Sequence, residues 1–409
     1  MTPDAATQEP APVTVVVPVY RDLEATRNCL QSLLASGLPG HMSVLVIDDC
    51  SPEPDVSALC REVAAAPQVE LYSHEHNLGF VACANRAFEM RPDHDIILLN
   101  SDTVVPRGWA ERLQACACRD PRIGTATPFS NNGSICSYPA SGQANDLPAG
   151  LALEELDELF RRANQGLHAD LPTAVGFCMY IRRACLEQTG PFDQENFGKG
   201  YGEECDFCIR AAQLGWRHVV AADVFVFHEG GASFAQEANA RREQADSVLH
   251  ALHPAFHDTV MDFILSDPLE PLRAAINRAR VERSPHNAVQ VLDEQREHTR
   301  AMLHHATLYR EDLKTCLHQL DESEAQLQAC RTSFEQTDQA LRHAESVVAA
   351  LHTDIAQLNQ GVAERDARLR EELSRSALLE QKIAGMEQSR SWRYTAWLRR
   401  GKQRAHQPS

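Results

Sequence analysis

Residues 13–20 read Val-Thr-Val-Val-Val-Pro-Val-Tyr, and this short apolar run is the first of a series. Its β-branched side chains predict a strand, because they fit a buried, pleated surface. Leucines at helical spacing come next, and Gly37 ends that pattern. Strand-like runs recur at Val44–Ile47, Val69–Tyr72 and Ile96–Leu99. The alternation continues to about Leu265 and predicts an α/β domain built on a mostly parallel sheet.

The composition is that of a folded protein with two or three structural units. The chain has 409 residues, of which 43% are hydrophobic and 23% charged. Its net charge of −18 argues against binding to nucleic acid through the phosphates. The apolar runs are shorter than the roughly 20 residues of a membrane-spanning helix, and residues 1–12 lack the pattern of a secretion signal. We therefore expect a cytoplasmic protein whose 13 cysteines are reduced.

The sequence beyond about Pro285 predicts one long helix. Steps of seven residues from Leu313 to Ile383 meet an apolar side chain at ten of eleven positions, the pattern of a coiled-coil seam. A second row, which lies three residues further along, is less complete. Such a helix would be about 106 Å long, too long to pack into a globular core. We expect it to pair with a second copy of the chain.

These patterns divide the chain into five segments. We expect a disordered N-terminus over 1–11, the α/β domain over 12–265, a linker over 266–300, a coiled coil over 301–389 and a basic aromatic tail over 390–409. The tail combines six basic residues with Trp392, Tyr394 and Trp397. Such a tail suits peripheral contact with the inner face of a membrane, and it equally suits a solvated basic end.

Short polar segments follow three of the predicted strands, at the edge where open α/β sheets bind ligands. These segments are Pro18-Val19-Tyr20, Asp48-Asp49-Cys50-Ser51 and Asn100-Ser101-Asp102. Neither a glycine-rich dinucleotide turn nor a Walker A loop follows the first strand. A bound phosphate would therefore be held through a divalent cation, for which Asp102 is the candidate ligand.

Eight motifs occur in order between about Val13 and Phe234. They are Val15–Tyr20, Val46–Ser51, Asn77–Phe80 with Asn85, Leu98–Asp102, Gly176–Cys178, Gly190-x-Phe192-Asp193, Gly200–Asp206 and His228-x-x-Gly231-x-Ser233. Together they resemble the inverting family 2 glycosyltransferases of GT-A fold. The resemblance implies transfer of a sugar from a nucleotide diphosphate to an acceptor. Phe129–Gly133 with Tyr138-Pro139 is similar to a loop of members that build bacterial surface polysaccharide, which implies a glycan or lipid-linked acceptor.

The resemblance also implies roles for the matched residues. Asp102, with His228, would hold Mg²⁺ or Mn²⁺, because Asn100 replaces the first carboxylate of the family's D-x-D motif. Glu203-Glu204 stands where the family has Glu-Asp, so Glu204 would be the base by position and Glu203 would support it. The nucleotide sugar would contact Pro18, Val19, Tyr20, Asp48, Asp49, Asn77, Gly79, Asn85, Asn100, Ser101, Asp102 and Gly176.

Several of these residues also have a purely structural explanation. Asp49 or Ser51 could cap the following helix, the two glutamates could be first-turn acids favoured by a helix dipole, and His228 could be a buried structural histidine. The substitutions in the D-x-D and Glu-Asp motifs also fit a noncatalytic scaffold that tethers partners through its coiled coil. A sugar nucleotidyltransferase is disfavoured, because no triphosphate loop follows the first strand. The sequence does not identify the sugar, the nucleotide or the acceptor.

Overall fold

The computed structural model describes residues 10–230 and 235–391. The chain divides between Asp312 and Leu313 into two compact units. The strands of the first unit are β1 (Val13–Val19), β2 (Met42–Asp48), β3 (Val69–Ser73), β4 (Asp95–Leu99), β5 (Thr103–Val104), β6 (Ile123–Ser130), β7 (His168–Leu171), β8 (Cys178–Ile181) and β9 (Arg217–His228). The helices are α1 (Leu23–Ala35), α2 (Pro54–Val63), α3 (Phe80–Met90), α4 (Trp109–Ala117), α5 (Leu153–Ala163), α6 (Arg183–Thr189), α7 (Gln194–Phe197), α8 (Glu203–Gln213), α9 (Ala235–Leu252), α10 (Phe256–Ser266), α11 (Glu270–Arg283) and α12 (Asn287–Gln388).

The strands form a sheet in the order β3-β2-β1-β4-β8-β6-β9-β5, and β7 pairs with β9. Strands β3, β2, β1 and β4 are mutually parallel, as are β6 and β9. Strand β8 runs antiparallel between β4 and β6, and β5 and β7 run antiparallel to β9. The mostly parallel sheet is therefore confirmed, and the four strands predicted from apolar runs are present.

Both faces of the sheet are buried. Val15 and Val17 of β1 pack into one core cluster with α1, α2 and α4, whereas Val16 packs into a second cluster with α3, α6 and α8. Since both faces of these strands need apolar side chains, the sequence shows continuous hydrophobic runs rather than alternation. The carboxyl ends of β1, β2 and β4 come to one edge of the sheet, which positions the candidate site.

Residues 266–300 are not the linker that the sequence analysis expected. Most of them lie in α11 and the first turns of α12, within the first unit. The Arg280 side chain is fully buried, and its guanidinium contacts Glu294 of α12 (Nη2 to Oε1, 2.9 Å) and the Tyr138 hydroxyl (Nη1 to Oη, 2.9 Å). His298 accepts the Ser141 N–H at Nδ1 (3.3 Å) and lies 3.0 Å from Asp267 at Nε2. Polar residues with buried partners thus fix this segment to the domain.

The second unit consists of α12 from Leu313 onward, which confirms the predicted long helix. The apolar side chains at the ten seven-residue steps are 50–72% exposed. In the part of the chain that the structure describes, no helix is long and apolar enough to cross a membrane. Residues 1–9 of the expected disordered segment, Gly231 and Ser233 of the eighth motif, and residues 392–409 of the tail lie outside the described residues.

Candidate active site

Asp102 and His228 lie side by side although they are far apart in sequence. Strand β5, which follows Asp102, pairs with the end of β9 and places Thr103 opposite His228. The Asp102 carbonyl also accepts the Glu229 N–H (2.9 Å). As a result, Asp102 Oδ1 lies 3.3 Å from His228 Nε2.

The His228 ring is oriented by its other nitrogen. Nδ1 lies 2.6 Å from the Asn132 carbonyl oxygen, which can only accept, so Nδ1 carries the proton. In the neutral ring the Nε2 lone pair then faces Asp102. The Phe177 ring stacks on the imidazole at 5.2 Å between centroids and 17° between planes. An imidazole nitrogen and a carboxylate oxygen so arranged fit a divalent cation such as Mn²⁺ or Mg²⁺.

Protonated His228 would form an ion pair with Asp102. Burial lowers the pKa of His228, but the hydrogen bond and charge of Asp102, together with the Asn132 carbonyl, outweigh burial and raise the pKa above its ordinary value. The site therefore favours positive charge between these two side chains. A proton on Nε2 or a divalent cation can supply that charge.

Asn131 fixes the backbone of His228, a contact that the sequence analysis did not identify. Its Oδ1 accepts the His228 N–H (2.8 Å), and its Nδ2 donates to the His228 carbonyl (3.0 Å). The same amide donates to the Asn145 carbonyl (3.2 Å), and the side chain is only 4% exposed. The loop after β6 thus holds His228 through Asn131 at the backbone and Asn132 at the ring.

Gly176 and Phe177 link this pair to the glutamates. The Phe177 carbonyl accepts the Asn100 N–H (2.9 Å), and its ring stacks on His228. The Glu204 carboxyl lies against Gly176, since a Cβ added at Gly176 would be 3.7 Å from Glu204 Cδ. Asn100, His228 and Glu204 are therefore grouped around one dipeptide.

The two glutamates at the start of α8 have different environments. Helix α8 begins after Gly202, whose φ of 86° is left-handed. Glu203 is 4% exposed, and its Oε2 has no hydrogen-bond partner within the described residues, whereas Glu204 is half-buried. Burial raises the pKa of both, and the Glu204 charge raises that of Glu203 further.

Asp49 is engaged by the chain itself. Its carboxylate accepts from His74 Nδ1 (2.8 Å), Asn77 Nδ2 (2.8 Å), Leu78 N (2.9 Å) and Gly79 N (2.8 Å), and it is 2% exposed. Asp49, His74 and Cys83 bring possible metal ligands within 4.8 Å of one another. Because amide donors already occupy both Asp49 oxygens, we assign this cluster to holding the turn before α3.

The other residues expected at the nucleotide site divide into two groups. Asp48 accepts from Ser51 N (2.9 Å) and Ser57 Oγ (2.5 Å), and the Asn85 amide pairs with the backbone N–H and carbonyl of Phe192 (both 2.9 Å). Asn77 is also engaged by the chain, because it accepts from Lys199 Nζ (2.5 Å). Buried Val19 accepts the Asp49 N–H (3.0 Å), and a Cβ at Gly79 would lie 2.5 Å from Lys199 Cα. Tyr20 is exposed, and Pro18, Asn100, Ser101, Asp102 and Gly176 are partly exposed, as are Asn77 and Asn85.

The sequence and the fold were compared with known proteins. Residues 10–247 match the sequence profile described as "Glycosyltransferase like family 2". A pre-mycofactocin glycosyltransferase of Mycobacterium tuberculosis is 26% identical over 215 residues, 50% of this chain and 40% of that protein. Glycosyltransferase AglE of Haloferax volcanii is 22% identical over 217 residues, 53% of this chain and 66% of that protein. The matches thus span less than two thirds of the length of these relatives.

Solved structures with bound nucleotide ligands also match. A mannosyltransferase from Pyrobaculum calidifontis in complex with GDP-mannose and Mn²⁺ has a TM-score of 0.46 and 18% identity, covering 73% of this chain and 86% of that chain. GalNAc-T7 with UDP, GalNAc and Mn²⁺ has a TM-score of 0.45 and 13% identity, covering 69% and 58% of the two chains.

Proposed function

The chain belongs to glycosyltransferase family 2, and from that premise we propose that it is a metal-dependent, inverting transferase. It would move a sugar from a nucleoside diphosphate to a glycan or lipid-linked acceptor in bacterial surface polysaccharide synthesis. The observation that supports this proposal is the 3.3 Å approach of Asp102 Oδ1 to His228 Nε2, beside Phe177 and the Gly176 surface that Glu204 contacts.

Asp102 and His228 would hold the cation. Asp102 offers a carboxylate oxygen, and His228 offers the nitrogen that its hydrogen bond to Asn132 leaves without a proton. Bound Mg²⁺ or Mn²⁺ would neutralise charge on the departing diphosphate. Phe177, stacked on the imidazole, would restrict rotation of that ring.

Glu204 would be the general base. It is half-buried against Gly176, where an acceptor hydroxyl can reach it, whereas Glu203 is almost fully buried. The raised pKa of Glu204 makes its carboxylate a stronger base than an exposed glutamate, and catalysis requires its ionised form. Attack of the deprotonated hydroxyl opposite the leaving group inverts the anomeric centre in one displacement.

The donor would meet some residues directly and depend on others indirectly. Pro18, Tyr20, Asn100, Ser101 and Gly176 would line the donor site, with Asp102 reaching the diphosphate through the cation. Val19, Asp48, Asp49, Asn77, Gly79 and Asn85 would shape it by fixing backbone, because their polar groups or Cα surfaces are committed to other parts of the chain.

The part of the chain from Leu313 onward would have a separate role. We propose that the exposed apolar row of α12 pairs with a second copy of the chain. The basic aromatic tail over 390–409 would dock on anionic lipid, because indole rings favour the headgroup region and arginines attract negative charge.

The test of catalysis is release of nucleoside diphosphate from UDP-, dTDP- and GDP-sugars, with Mn²⁺ or Mg²⁺ and with chelator. We expect Glu204→Gln to lower turnover by roughly 10² to 10⁴, the usual effect of losing a general base, while donor binding persists. Glu203→Gln is the matched control and should keep more activity.

Each of the other possible results would contradict a different part of the proposal. A larger loss in Glu203→Gln would reverse the assignment within the pair. Full activity with chelator would exclude the role of the cation. Pyrophosphate release would indicate a nucleotidyltransferase, and a wild-type chain that releases nothing from any donor would favour the scaffold.

A further inference from the structure

The exposed face of α12 also indicates how two copies of the chain would pair. In the seven-residue repeat that starts at Leu313, the first position (a) is apolar and at least half exposed almost throughout. The fourth position (d) changes along the helix, from small side chains at residues 316–344 to Leu351 and Leu358. These two positions decide how two such helices can pair.

The segment 348–362 favours a parallel pair. Its a positions are β-branched (Val348, Ile355 and Val362), and its d positions are leucine (Leu351 and Leu358). This combination is typical of parallel two-stranded coiled coils, in which β-branched side chains fit the a layers and leucine fits the d layers. All five side chains are 50–69% exposed, so an adjoining helix would bury an apolar stripe along the segment.

The charges near the end of α12 also favour that pairing. In a parallel, in-register pair, the seventh position of one heptad faces the fifth position of the next heptad in the other helix. Arg375 would then face Glu380, and Lys382 would face Glu387, and these four side chains are exposed. Only the layers at Arg365 and Glu372 would bring like charges together, so we expect them to be the weakest.

Two of the small d residues are cysteines. Cys316 and Cys330 are exposed free thiols, and they lie two heptads apart in the same row. We propose that residues 313–388 of two copies form a parallel, in-register coiled coil in which each of these cysteines lies opposite its own counterpart. This inference rests on the proposed self-association of the chain and adds its orientation and register.

Oxidative cross-linking of the full-length chain tests the arrangement. The other fully exposed cysteines are first removed as Cys50→Ser and Cys118→Ser. Diamide then takes two electrons and two protons from a pair of thiols, which join as a disulfide while diamide becomes its hydrazo form. In the proposed register, Cys316→Ser and Cys330→Ser should each still give the linked dimer on a non-reducing gel, and only the double variant should lose it.

A matched pair of added cysteines provides the control. In the double-serine background, Ala344→Cys at a d position should restore the linked dimer, whereas Ser346→Cys on the outer face should not. Both positions are exposed in the single chain, so accessibility does not separate them.

The remaining outcomes overturn the proposal in distinguishable ways. Loss of the linked dimer in both single variants would show that Cys316 pairs with Cys330, which requires an antiparallel pair or a parallel pair shifted by two heptads. No linked dimer in any variant, with a dimer mass by light scattering, would exclude this register. A monomer mass for the full-length chain would contradict self-association itself.

Discussion

At the scale of the residue, the sequence identified several side chains of the candidate site, but it did not identify their hydrogen-bond partners. Asp102, His228 and Glu204 were selected by motif, and the structure places Asp102 beside His228, the His228 ring on Phe177, and Glu204 against Gly176. Asp49 was selected in the same way, yet its carboxylate is filled by donors from residues 74–79. The sequence shows that Asp49 follows a strand. It does not show that groups from another segment donate hydrogen bonds to the Asp49 carboxylate.

Asn131 is the clearest residue that the motifs did not assign. We expect Asn131→Ala to weaken Mn²⁺ binding by about 10- to 100-fold, the usual effect of removing an outer-shell group that orients a metal ligand. The variant loses both hydrogen bonds from Asn131 to the His228 backbone, so the position of the imidazole relative to Asp102 is less strictly fixed. Titration of free Mn²⁺ by electron paramagnetic resonance measures this affinity without any turnover.

Asn132→Ala is the control for that experiment. Asn132 orients His228 through its carbonyl oxygen, which alanine retains. Equal Mn²⁺ affinity in wild type and Asn131→Ala would contradict the positioning role, and a melting curve recorded in parallel separates that result from unfolding.

At the scale of the element, the prediction succeeded for buried strands that consist of consecutive apolar residues. Strands β1 to β4 were located within two residues at each end, because both faces of a central parallel strand need hydrophobic side chains. Strand β6 was not assigned, since it buries Thr125 and Thr127, and the Thr125 hydroxyl is paired with His218 (2.8 Å). A strand that buries hydrogen-bonded polar side chains does not show a run of apolar residues in the sequence.

The same limit explains the error over 266–300. An arginine in a sequence is expected at the surface, yet the Arg280 side chain is fully buried and ion-paired with Glu294. We expect Glu294→Ala to lower the free energy of unfolding by about 3–5 kcal/mol, because it leaves a buried guanidinium without its carboxylate. Thermal or urea unfolding of a chain ended at Asp312 measures the change.

Glu297→Ala, one turn further along α12 at an exposed position, is the matched control and should have little effect. A similar stability for both variants would show that the ion pair contributes nothing to the attachment of α12.

At the scale of the whole molecule, the division between Asp312 and Leu313 separates the unit that contains the proposed active site from the helix that we propose pairs with a second copy. The sequence analysis expected the catalytic part to end near residue 265. The structure adds α11 and the first turns of α12 to the first unit, because buried Arg280 joins Glu294 to Tyr138 in the loop after β6. That loop also contains Asn131 and Asn132, which hold His228.

Three truncations separate these roles. A chain ended at Ser284 loses Glu294 and His298, so we expect it to unfold more easily and to lose turnover. A chain ended at Asp312 keeps both and should be a monomer that still releases nucleoside diphosphate. A chain ended at Gln388 keeps the apolar row and should remain a dimer by light scattering, but it should bind vesicles containing phosphatidylglycerol more weakly than the full-length chain.

Ionic strength should change the difference in vesicle binding between the full-length chain and the chain ended at Gln388. The arginine contribution to vesicle binding is screened as ionic strength rises, so the difference between the full-length chain and the chain ended at Gln388 should shrink at high salt. Equal vesicle binding at low salt would exclude lipid docking by the tail. An active, stable chain ended at Ser284 would show that the start of α12 is dispensable for the site, whereas an inactive chain ended at Asp312 would show that catalysis needs the paired helix itself.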